Sequence, residues 1–94
     1  MSKNLDKKIE ELKKQIENID IELSVLRKNW AADVKDLSNN PDFDMYSKKG
    51  ERELVKIGEK YVPLFADIEE KRFNLVEEHN KLIDERNLLN GTNN

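Results

Sequence analysis

From Leu5 onward the apolar residues recur at alternating steps of four and three: Leu5, Ile9, Leu12, Ile16, Ile19, Leu23, Leu26 and Trp30. That rhythm lines one side of an α-helix with a narrow heptad seam, and it predicts a helix over about residues 3–38. Ile9, Ile16, Leu23 and Trp30 fill one seam position; Leu5, Leu12, Ile19 and Leu26 fill the other. Asp33 interrupts the series and Leu37 resumes it. Pairs such as Glu10 with Lys14 and Lys7 with Glu11 support the solvent side by a few tenths of a kcal/mol each.

The run SNNP then ends the helix, because Ser38, Asn39 and Asn40 accept turn geometry and Pro41 has no amide to continue the ladder. Asn40-Pro41-Asp42 also has the form of a helix start, with a cap, a proline and an acid against the dipole. A short helical turn is therefore expected within a structured connection over about residues 39–50. Beyond Gly50 the apolar pattern returns at Leu54, Tyr61, Ile68, Leu75, Leu82 and Leu89, with Ile57 and Leu64 at the intervening position. This predicts a second helix over about residues 51–90, closed by Gly91 in the left-handed conformation. Pro63 lies inside it, so a kink or break is expected near residues 62–63.

The chain thus reads as all-α: one domain, an antiparallel, coiled-coil-like helical hairpin. A register in which paired residue numbers sum to 87 matches six apolar layers: Leu5 with Leu82, Leu12 with Leu75, Ile19 with Ile68, Leu26 with Tyr61, Trp30 with Ile57 and Leu23 with Leu64. The same register sets Ile16 against Lys71 and Ile9 against Glu78. It also leaves Val55, Val62, Val76 and Ile83 as a second apolar stripe beside the seam, with Phe65, Phe73, Ile21 and Val25 off it. So much apolar surface without a cover points to another protein or a second copy of the chain, and we expect a homodimer packed as a helical bundle.

Composition narrows the functional classes. Of 94 residues, 36% are hydrophobic and 39% charged, which leaves little for a large core. There is no cysteine for a disulfide or thiolate metal site, and His79 is the single histidine. The net charge is −3, and basic residues alternate with acids, so no basic face forms for phosphates and no direct nucleic-acid binding is expected. The opening MSKNLDKKIEELKK lacks an apolar run, and nothing approaches the ~20 apolar residues of a membrane span. A cytoplasmic location without membrane attachment follows as an expectation.

Candidate chemistry is confined to a few places. The acidic stretch NNPDFDMYSKKGERE resembles a calcium loop only loosely: counted from Asp42, Ser47 stands where the turn needs glycine, and counted from Asn40, Met45 does. It reads instead as a capped turn pinned by Phe43, Met45 or Tyr46. Trp30 reads as a core layer near that turn. Arg72, His79 and Arg86 recur every seven residues after Phe65, a polar stripe that suits pairing with Asp6, Glu10 or Glu17, or simple solvation. No nucleophile accompanies His79, so no catalysis, metal or cofactor is expected. Glu69, Glu70, Glu77, Glu78, Asp84 and Glu85 form an acidic flank. The reading is a non-enzymatic protein-interaction module, an adaptor or assembly factor, acting through the apolar stripe and with the partner's identity open. The alternative is a small acidic inhibitor of the kind phages encode, blocking a nucleic-acid-binding protein by charge mimicry.

Overall fold

The computed structural model describes residues 2–91. Two helices, α1 (Ser2–Ser38) and α2 (Lys48–Leu89), pack against each other as a hairpin, and no strand occurs among the described residues. Apart from Pro63, neither helix carries a residue that interrupts its ladder, and α2 continues through Pro63 as one element rather than breaking into two.

The connection is built from side chains that close on their own backbone. Ser38 Oγ donates to the Val34 carbonyl at 2.9 Å, and the Asn39 amide donates to Lys35, ending α1. The Asn40 carboxamide then accepts the Asp42 amide (3.0 Å) and the Asp44 carboxylate accepts the Tyr46 amide (2.9 Å). These are Asx turns, so Asn40-Pro41-Asp42 makes a bend and not the start of a helix. The start is Ser47, whose Oγ accepts the Gly50 amide at 3.0 Å while its carbonyl takes the first helical bond from Glu51. α2 thus begins three residues before the expected position, with Gly50 buried in its first turn. A Cβ at Gly50 would overlap the Asp44 carbonyl and stand 3.2 Å from Phe43 Cε1, so only glycine admits that backbone so close. At the other end Gly91 has φ 63° and its amide donates to Leu88 at 3.2 Å, the expected left-handed cap.

The chain forms two compact units, one joining Met1–Ile21 to Glu69–Asn94 and the other spanning Glu22–Ile68. In the first, Leu5, Ile9, Leu12 and Ile19 are buried, and Asp6 meets Arg86 as Asp20 meets Arg72. Both pairs of numbers sum to 92. In the second unit, Leu23 and Tyr61 are buried and Trp30 stacks on Tyr61, a pair summing to 91. The register of 87 is therefore corrected by about one helical turn. With layers summing to 91, the seam of α2 becomes Tyr61, Phe65, Ile68, Arg72, Leu75, His79, Leu82 and Arg86, all buried or half-buried. Ile9 is buried rather than set against an acid, and Leu64, expected opposite Leu23, is 45% exposed. By this register Ser38 is level with Glu53, so the first turn of α2 runs past the end of α1, where Phe43 and Asp44 fold back against Gly50.

Candidate interaction surfaces

In the unit joining Met1–Ile21 to Glu69–Asn94, the polar stripe lies in the seam and not beside it. Arg72 Nε donates to Asp20 Oδ1 at 2.7 Å, and Arg86 Nη1 donates to Asp6 Oδ1 at 3.3 Å. Each arginine lays its methylene stem in a layer and carries its head to an acid one residue past a seam position of α1, Ile19 or Leu5. The hydrogen bond that Asp20 accepts, and then that acid's charge, hold the Arg72 guanidinium still more firmly protonated than usual. Asp6 was among the expected partners; Asp20 was not, although its place one step beyond the seam matches that of Asp6. His79, half-buried, approaches its neighbour Asn80 at 3.4 Å.

In the unit Glu22–Ile68, Asp33 explains its own intrusion into the apolar series. Its Oδ2 accepts the Tyr61 hydroxyl at 2.5 Å and the Lys60 ammonium at 3.3 Å, while Lys60 Nζ stands 5.0 Å from the centre of the Tyr61 ring. Trp30 lies parallel to that ring, 5.7 Å between centroids, and meets Phe65 in a tilted contact at 5.6 Å. The Tyr61 hydrogen bond, followed by that of Lys60, pulls the Asp33 pKa below its ordinary value. Asp33 in turn pushes the Tyr61 and Lys60 values up. A polar residue at a seam position signals such a partner, and the tyrosine facing it supplies the hydroxyl.

The apolar stripe divides. Val55 and Val62 are 53% and 55% exposed, whereas Val76 and Ile83 are half-buried, covered within the chain and not left in water. Phe65 is half-buried against Trp30; Phe73 is 62% exposed. Glu69, Glu70, Glu77, Glu78, Asp84 and Glu85 are all exposed. Among the described residues no three His, Cys, Asp or Glu side chains converge to hold a metal ion, and no helix is long and apolar enough to cross a membrane. Compared with family models, curated proteins and solved structures, the chain matches none.

Proposed function

We propose that the chain is a protein-interaction module, an adaptor or assembly factor without chemistry of its own, which holds another protein through the outer apolar side of α2 between Val55 and Val62. One observation carries this reading. The two valines stand one heptad apart, so they share a side of the helix, and both are more than half exposed although every apolar residue of the neighbouring seam is covered. Lys48, Arg52, Lys56, Glu51 and Glu59 rim Val55 in an open depression, giving an apolar centre with a charged edge.

The test is capture of a partner from lysate by the tagged chain, beside a Val55→Glu/Val62→Glu variant. The wild type retains its partner at about 0.5 M salt, where the Debye length is only a few Å, and the variant loses it while keeping its helical circular dichroism. A partner held equally by both chains would reject the valine surface. A basic, nucleic-acid-handling partner that leaves at high salt would favour the acidic-inhibitor reading, which the exposure of all six acids also supports.

A further inference from the structure

Asparagine is spread along the whole chain, but only Asn90 is followed by glycine. The carboxamide carbon of an asparagine lies within reach of the next residue's backbone nitrogen, and attack there closes a five-membered imide ring, which is why asparagine is thermolabile. Two features ordinarily prevent the attack. A side chain on the following residue crowds the nitrogen, and a regular helix holds that amide in its ladder. Asn18, Asn29 and Asn74 have both protections, since each lies inside α1 or α2 before a bulky residue, Ile19, Trp30 or Leu75. Asn40 is safe for another reason: Pro41 has no amide proton to give up, and the Asn40 carboxamide already accepts the Asp42 amide at 3.0 Å.

Neither protection reaches Asn90. It stands just past Leu89, the last residue of α2, and both Asn90 and Gly91 are exposed. Its carboxamide takes no hydrogen bond from another described residue. Gly91 has no Cβ, and one built there would meet nothing within 4 Å, so the approach to its nitrogen is open. The Gly91 amide is held only by the left-handed cap, donating to Leu88 at 3.2 Å, a longer bond than the 3.0 Å one from the Asn90 amide to Arg86.

We propose that Asn90 is a site of spontaneous deamidation, converting to aspartate and isoaspartate with water as the co-reactant. The Gly91 amide gives its proton to a solvent base and its nitrogen bonds to Asn90 Cγ. The Cγ–Nδ2 bond then breaks, and the departing nitrogen takes up protons from solvent and leaves as ammonia. Water opens the resulting succinimide at one of its two carbonyls. Attack at Cγ restores the main chain and leaves aspartate; attack at the backbone carbonyl leaves the chain running through the side-chain carbon, as isoaspartate. Nothing is oxidised or reduced.

Either product places a new carboxylate at the C-terminal turn of α2, where the free carbonyls already carry the negative end of the helix dipole. The net charge falls by one from −3. Isoaspartate also adds a methylene to the main chain, which moves the Gly91 amide away from the Leu88 carbonyl and undoes the cap. The converted chain therefore frays at the end of α2 that Leu88 and Leu89 close. This site belongs to the unit joining Met1–Ile21 to Glu69–Asn94, so its fate is independent of any partner held at Val55 and Val62.

The experiment incubates the full chain in its folded state at neutral and at higher pH, beside a sample unfolded in urea, and follows its tryptic peptides by mass spectrometry. Cleavage after Arg86 releases the segment that begins at Asn87, and fragmentation locates the change within it. The expected result in the folded chain is a gain of one mass unit at Asn90 ahead of every other asparagine. It is faster at higher pH, because the amide must lose its proton, and isoaspartate appears beside aspartate. Asn90→Gln abolishes the change at that position, since glutamine must close a larger ring, and Gly91→Ala slows it by crowding the nitrogen. A folded chain that stays intact at Asn90 while the unfolded one converts overturns the proposal, because the cap then protects the amide. Earlier conversion at another asparagine overturns it too, as does aspartate without isoaspartate, the mark of direct hydrolysis.

Discussion

Three glycines provide a test in which the structure reverses the ordinary rule for one of them. Replacing glycine by alanine inside a helix normally stabilises by ~1 kcal/mol, because the unfolded chain loses freedom. Gly58 obeys: its new methyl would meet only Trp30 Cζ2, at 3.9 Å, an ordinary contact. Gly50 does not, although it too is helical. Its methyl would displace the Asp44 carbonyl, which accepts both the Ser47 amide (3.0 Å) and the Ser47 hydroxyl (2.7 Å), and Ser47 Oγ in turn caps Gly50. Losing two hydrogen bonds at ~1 kcal/mol each and a cap worth ~1 kcal/mol, against a gain of ~1 kcal/mol, leaves Gly50→Ala less stable by about 2 kcal/mol. For a chain of this size that lowers Tm by roughly 10 °C, while Gly58→Ala raises it by about 5 °C. Gly91→Ala forces a left-handed alanine at φ 63° and costs about 1 kcal/mol. The assay is thermal melting followed at the helical circular-dichroism band, at one fixed low concentration. A Gly50→Ala melt at or above the wild type would refute the close approach of Asp44, and with it the overshooting turn.

Two other substitutions probe the closed end and the interruption of α2. Asp33 has a lowered folded pKa, so its contribution is present above the ordinary carboxylate value of 3.8 and is lost as pH falls through the folded value. Tyr61 and Lys60 have raised values, so theirs is present below 10.0 and 10.5 respectively and is lost as pH rises beyond. The urea midpoint of Asp33→Asn therefore lies below that of the wild type at neutral pH and converges with it in acid; a constant difference across pH would show that the ion is not what matters. Pro63 is exposed within a continuous helix, so Pro63→Ala raises stability by about 1–3 kcal/mol in urea unfolding, and a loss would mean that the local geometry at the proline supports the packing of α2.

The seam of α1 was legible because a heptad is a local pattern: Leu5, Ile9, Leu12, Ile19 and Leu23 are buried as their spacing requires. Both helix ends at Ser38 and Gly91 were legible for the same reason, since each depends on its own few residues. The register was not. Matching apolar to apolar favoured the sum of 87, whereas the structure seats Arg72 and Arg86 in layers and completes them with Asp20 and Asp6. Long charged side chains serve there as apolar stems, which a two-letter pattern of hydrophobic and polar residues cannot express. Gly50 compounded the difference, because a glycine three residues after Ser47 reads as a place where a helix stops, and the reason for it lies in a backbone contact from Asp44. With the register misplaced by a turn, Val76 and Ile83 joined Val55 and Val62 as one open stripe, although their surroundings differ.

The register decides which side chains remain outside for a partner, so it is the most direct point of attack. Cysteines at Ile16 and Leu75 share a layer when numbers sum to 91, while cysteines at Leu12 and Leu75 share one only when they sum to 87. At ~1.5 Å of rise per residue the wrong pair is offset by about 6 Å along the axis, beyond easy disulfide geometry. Oxidation of each double variant at low concentration, followed by mass spectrometry of tryptic fragments, reads the outcome. Rapid intrachain cross-linking of Ile16→Cys/Leu75→Cys with little in Leu12→Cys/Leu75→Cys is the predicted result, and the reverse preference would contradict the packing from which the interaction surface was drawn.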